Sequence, residues 1–190
     1  MMRTVFPLVI AVLLSALGPA PLVFAQSGGF SVTQSSQMDA LFARLSAATD
    51  EAEARAIADE IWQIWTHPDD TAIAARMQDI IAQSGFAGPA SQMPLIDALV
   101  ADYPDYSEGW NLRATAHFLN GAYEKSLLDI EETLKREPRH FGAMAGRALI
   151  YHTQGKSEEA MKAIQEALEI HPFLPERGLF PDLGPPPIRS

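Results

Sequence analysis

The chain has 190 residues, of which 14 are Lys or Arg, 24 are Asp or Glu and none is Cys, for a formal charge of -10. Its length suits one domain or a short stack of repeats, and the missing cysteines exclude a disulfide framework, a thiol nucleophile, thiolate-bound zinc, an iron-sulfur cluster, covalent haem and a lipoprotein anchor. The acidic balance argues against a general affinity for nucleic acid or for an anionic lipid surface, both of which need a basic face.

The first segment reads as a secretory signal peptide over residues 1-25. A lone basic residue, Arg3, precedes an apolar run from Val5 to Leu17, and Val23-Phe24-Ala25 offers small residues before a cut after Ala25. An uncleaved anchor would need about 20 continuous apolar residues, and Pro7, Gly18, Pro19 and Pro21 interrupt this run. Processing leaves Gln26 to Ser190 with 13 basic and 24 acidic residues, a charge of -11. With no membrane insertion after cleavage and no disulfide to hold it, an exported chain of this kind depends on its packed core alone.

Residues 26-36 (QSGGFSVTQSS) are rich in Gly, Ser and Gln and are expected to be a flexible lead. Gln37 to Ala48 and Glu51 to Trp65 then read as a helical hairpin, 37-66, with Asp50 and Glu53 spaced as a capping box. Ile57, Ile61, Ile64 and Trp65 mark its buried side. Two shorter helices follow, Thr71 to Gln83 and Met93 to Ala101, split by a loop of Gly, Ser and Pro.

From there the chain repeats itself. Pro104, Pro138 and Pro172 are 34 residues apart, and without a gap Arg113 falls on Arg147, Ala114 on Ala148, Gly121 on Gly155, Ile130 on Ile164 and Leu134 on Leu168. Trp110 to Asn120 and Ala143 to Gln154 are each one amphipathic helix, Gly121 and Gly155 permit a turn, and Glu124 to Arg136 and Ser157 to Ile170 return. Ala114, Ala148, Ser126 and Ala160 are small enough for the paired axes to approach closely. The prolines end each unit, and the segment 179-190 is a Pro-rich tail that cannot be helical through Pro185 to Pro187.

This helix-turn-helix of 34 residues resembles the tetratricopeptide repeat (TPR). With Ser107 and Phe141 as first positions, the fourth is Trp110 and Met144, the eighth Ala114 and Ala148, and the eleventh His117 and Tyr151. The twentieth is Ser126 and Ala160, the twenty-fourth Ile130 and Ile164, the twenty-seventh Thr133 and Ala167, and the thirty-second Pro138 and Pro172. Met144, His117, Ser126 and Thr133 are mild departures from the pattern. The resemblance is strong over 107-138 and 141-172; in the same phase 71-104 is a degenerate repeat, and 37-66 resembles the repeat loosely and could serve as a terminal cap. It implies an all-α solenoid of about four helix pairs, similar to short exported TPR proteins of Gram-negative bacteria and hence periplasmic.

No chemistry-bearing motif competes with that reading. The five histidines, at 67, 117, 140, 152 and 171, lack the i, i+4 spacing of a helical metal site, so no metal or cofactor is expected. His117 stands where the repeat places Tyr and reads as a core or turn residue, while His67 and His171 precede prolines and read as helix-end residues favoured by the dipole. Asp102, Asp105 and Glu108 flank a junction between repeats, and Glu131, Glu132, Glu158 and Glu159 fall on return helices, where solvent leaves no means of splitting carboxylate pKa values. Trp62, Trp65 and Trp110 read as core.

The resemblance also implies where a partner would bind. In this family the first helices line a concave groove, and the second, fifth, ninth and twelfth repeat positions hold the partner; here these are Glu108, Asn111, Thr115 and Phe118, then Gly142, Ala145, Leu149 and His152. Asn111, Thr115, Phe118, Leu149 and His152 are the candidate contacts for a protein or peptide, in a non-catalytic interaction module. Two alternatives stand beside it: an assembly component that self-associates, and an enzyme with an unrecognised site in the Thr71 to Tyr103 region.

Overall fold

The computed structural model describes residues 28-85 and 88-185, so the signal segment 1-25 and the last five residues of the tail lie outside the described residues. Eight α-helices and no strand occur among the described residues: α1 Val32–Ser46, α2 Glu51–Thr66, α3 Thr71–Ser84, α4 Met93–Asp102, α5 Ser107–Leu119, α6 Tyr123–Arg136, α7 Phe141–Thr153 and α8 Ser157–Ile170. Short 3-10 turns cover Pro89–Gln92, Pro175–Leu179 and Pro181–Leu183. The chain is an all-α solenoid of helical hairpins.

The helix limits follow local chemistry. Ser31 accepts the Gln34 amide at 3.1 Å, so α1 starts inside the stretch expected to be a flexible lead. Gln34 then ties that start to the α2–α3 link, donating to the His67 carbonyl at 2.9 Å and accepting the Asp69 amide at 2.8 Å. Asp50 accepts the Glu53 amide at 2.9 Å, while the Glu53 carboxylate reaches back one residue further than a capping box requires, to the Thr49 amide at 2.9 Å.

The two well-marked repeats close alike. Gly121 and Gly155 take φ of 71° and 70°. In both turns the next residue's amide bonds back five positions, Ala122 to the His117 carbonyl and Lys156 to the Tyr151 carbonyl, each at 2.9 Å. This is the Schellman arrangement, and it needs a left-handed residue that glycine adopts without strain. Within the hairpins Ala114, Ala148 and Ala160 are buried, and the Ser126 hydroxyl donates to the Ala114 carbonyl at 2.7 Å across the α5–α6 contact.

The N-terminal hairpin reaches beyond its neighbour in sequence. Trp65 is fully buried and lies parallel to the His140 ring with centroids 3.9 Å apart, while Trp62 meets His140 and Phe141 edge-on at 5.7 and 6.1 Å. Gly142 allows that approach, because a Cβ there would stand 3.0 Å from Trp62 Cζ2. Arg139 lies 4.2 Å from the centre of the Phe42 ring and pairs with Asp39 at 2.7 Å, and the Tyr106 hydroxyl donates to the Trp65 carbonyl. The hairpin α1–α2 thus covers the starts of α5 and α7, and one apolar core runs from Phe30 through Trp65 and Leu99 to Ala167 and Leu174.

Beyond α8 the chain turns back. Phe173 and Leu174 join the core beneath the hairpin, and Phe180 packs with Ala148, Ala160 and Ile164 at the exposed end of the last repeat. The first residues of the Pro-rich tail therefore cover apolar surface of the last repeat.

Candidate functional site

Between α5 and α7 lies an open cavity of about 310 Å³. Asn111, Thr115 and Phe118 reach it from α5 and Leu149 from α7, with Glu176 of the Pro175–Leu179 turn at its edge. The four helical residues fall at i, i+4 and i+7 of α5 and at the equivalent face of α7, so one stripe of each helix meets in the same hollow. Thr115 is exposed, and Phe118 and Leu149 are half-buried. The Thr115 hydroxyl donates to the Asn111 carbonyl at 3.0 Å.

His152 does not join these four residues. It lies at the exposed end of α7, one turn past the cavity, and its ring meets Phe180 at 5.4 Å. The returning C-terminal segment decides that placement, since it carries Phe180 to the end of the last repeat. Of the other positions implied by the repeat, Glu108 is buried against His140, while Gly142 and Ala145 line the same hollow, Gly142 also lying close against Trp62.

Glu108 overturns the expectation of a solvated carboxylate. It is 3% exposed and bonds His140 Nε2 at 2.9 Å and the Asn111 amide at 3.1 and 3.2 Å. His140 Nδ1 accepts the Ala143 amide at 3.1 Å at the start of α7, which assigns the ring proton to Nε2 and makes it the donor to Glu108. The pair is fully packed beneath Trp65, so it fastens α5, α7 and the hairpin together. Burial, with the nearby Glu108 charge, raises the Tyr106 hydroxyl well above its ordinary pKa, so it stays a neutral donor.

An ion cluster, buried only at Asp129, joins α4, α5 and α6. Arg113 holds Asp129 by two bonds at 2.8 and 2.9 Å and reaches Asp97 at 3.3 Å, and the bond to Asp129 holds its guanidinium firmly charged. His117 lies 3.6 Å from the same carboxylate. Trp110 is half-buried and takes the guanidinium groups of Arg113 and Arg136 at 4.8 and 4.7 Å from its ring centre.

His171 departs from its expected role as a dipole-favoured cation. It is 4% exposed, and burial pushes its pKa down to about 4, so it is neutral at pH 7. A folded pKa below the unfolded value of about 6.5 means that the unfolded chain binds the extra proton first. Stability is therefore expected to fall as pH drops from about 6.5 towards 4, by at most about 3 kcal/mol from this residue. Urea midpoints across that range check it: a His171→Asn variant should lose this part of the slope.

At the edge of the Thr71 to Tyr103 region, where Gly28, Gly29 and Ser31 meet the α2–α3 and α4–α5 links, lies a larger cavity of about 560 Å³ lined by Asp69, Asp70, Asp102 and Asp105. Three of those carboxylates already serve the fold: Asp69 accepts from Ser31, Asp70 caps α3 through the Ala72 and Ile73 amides, and Asp102 pairs with Arg76 at 2.7 Å. Among the described residues no group of three or more His, Asp or Glu is placed to hold a metal ion, and no helix is long and apolar enough to cross a membrane.

Sequence reasoning passed over His140 and Glu176. For His140 the signal was present in its position directly before the first residue of a repeat, facing Glu108 one repeat earlier. For Glu176 it was faint: one carboxylate in the apolar stretch HPFLPERGLF, which must turn back because prolines stop α8.

Comparison with known proteins agrees with this architecture. A family model for the tetratricopeptide repeat matches residues 126–175, from α6 through α8 into the following turn. Over 150 residues the chain is 35% identical to a TPR repeat-containing protein of Rhizobium etli, covering 79% of this chain and 74% of that protein. With two repeats closed by equivalent glycine turns and a relative matched along most of its length, the chain belongs to the tetratricopeptide repeat family.

Proposed function

We propose that the chain is an exported protein-interaction module which, processed after Ala25, works in the periplasm and holds an extended peptide or a helix of a protein partner without catalysis. The observation that carries this reading is the open hollow between α5 and α7, where Thr115, Phe118 and Leu149 remain accessible. Apolar side chains facing solvent in a preformed cleft favour burial against a partner. The TPR name of the Rhizobium etli relative supports the interaction role.

Two measurements test it. Cell fractionation should recover a periplasmic protein whose amino terminus is Gln26; a cytoplasmic chain retaining residues 1-25 overturns the export reading. A photo-crosslinking side chain at Phe118 or Leu149 should give a protein adduct in cells, whereas one at Leu128, which is 62% exposed on α6, should not. Equal labelling at all three positions would remove the groove assignment.

A further inference from the structure

Glu176 stands between two hollows. It lines the groove with Phe118 and Leu149, and it also lines an adjoining cavity of about 220 Å³ walled by Trp62, Phe141 and Phe173. Its carboxylate makes no hydrogen bond or ion pair with any described residue, and Oε2 is shielded from solvent. The adjacent Arg177 makes no ion pair with it: that guanidinium is turned to the C-terminal turn, donating to the carbonyls of Leu183 at 2.9 Å and Pro185 at 3.0 Å. Phe173, Leu174 and Phe180 anchor the segment on both sides, so the carboxylate is held in place before any partner arrives.

Carboxylates outnumber cations around it. No Lys or Arg lines the groove. In the adjoining cavity Arg55 is bonded to Glu51 at 2.7 Å, leaving Asp59 and Glu176 uncompensated, and the ring of His171 is neutral. A partly desolvated carboxylate without a donor is a poor final state, and an incoming ammonium or guanidinium relieves it with a charge-assisted bond. The methylene stem behind such a cation would lie along the apolar wall.

We infer that the partner segment held in this groove carries a Lys or Arg side chain beside an apolar one, the apolar group seated against Phe118 and Leu149 and the cation on Glu176. The inference rests on the groove reading and deepens it by naming the chemistry of the partner. The recognising charge then comes from the C-terminal segment, outside the repeats themselves.

Random dodecapeptides displayed on phage and selected on the purified full chain provide the probe. The recovered sequences should be enriched in Lys or Arg next to an apolar residue. A synthetic copy should bind Glu176→Gln about tenfold or more weakly than the native chain, and Glu176→Lys more weakly still. A copy with norleucine in place of the basic residue should not distinguish the native chain from Glu176→Gln. Circular dichroism and urea midpoints should show both variants folded, since the carboxylate has no partner to lose. A peptide that depends on Phe118 and Leu149 yet binds Glu176→Lys as tightly as the native chain overturns the cation assignment and leaves the groove standing. If no peptide is recovered, or if binding is indifferent to Phe118→Ala with Leu149→Ala, the groove reading itself falls.

Discussion

Trp65→Ala is expected to lower the unfolding free energy by about 3–5 kcal/mol, read as a shift of the urea midpoint followed by circular dichroism. Trp65 is fully buried, parallel to His140 at 3.9 Å, edge-on to Trp62 at 5.1 Å and tilted against Phe42 and Phe141. Truncation leaves a cavity that must hold its shape, because its walls come from α1, α2 and α7 and cannot all close on it together. The loss would be a large part of a typical total of about 5–15 kcal/mol. Trp110→Ala is a useful contrast, since that ring is half-buried and its two guanidinium contacts are worth about 0.5–2 kcal/mol each. Equal midpoints for the native chain and Trp65→Ala would mean that the hairpin is not docked on the repeats.

His140→Asn should cost a similar amount for a different reason. Asparagine can still cap α7, but it cannot span to Glu108, so the carboxylate stays buried with only the Asn111 amide. Taking the donor from a buried carboxylate costs about 3 kcal/mol, most of it the desolvation penalty of the stranded charge. Adding Glu108→Gln removes that charge, and the double variant should recover more than half of the loss. Both variants lose the stack on Trp65, so the difference between them isolates the charge. If the single and double variants unfold at the same urea concentration, the pair does not stabilise the junction in this way.

Much of the fold was legible because it is local. The period of 34 residues placed four helices to within about three residues at their ends, and it identified Gly121 and Gly155 as turn residues whose φ values are indeed left-handed. Ala114 and Ser126 signalled a close helix approach, and the Ser126 hydroxyl spans it. Asp50 signalled the start of α2 and caps it. Each of these features depends on neighbours within one hairpin, where residue spacing and backbone geometry are nearly the same information.

The site was legible only in part. Repeat positions brought Asn111, Thr115, Phe118 and Leu149 to one hollow because a helix face is fixed by its period. His152 was misplaced, and Glu108 was assigned to solvent, because both depend on segments packed from far along the chain. A helix period says which face is buried and not what buries it. Trp62 and Trp65 could be read as core residues, but nothing in their spacing pointed to His140 and Phe141.

The sequence by itself therefore determined the repeat, its turns and the face that lines the groove, since all three follow from short-range periodicity and from the backbone freedom of two glycines. Only the tertiary structure decided that the N-terminal hairpin closes over the starts of α5 and α7, that Glu108 is sealed against His140, and that the C-terminal turn sets an unpaired Glu176 beside the groove. Those outcomes follow from which apolar surfaces remain uncovered once the hairpins have formed, a property of the folded whole.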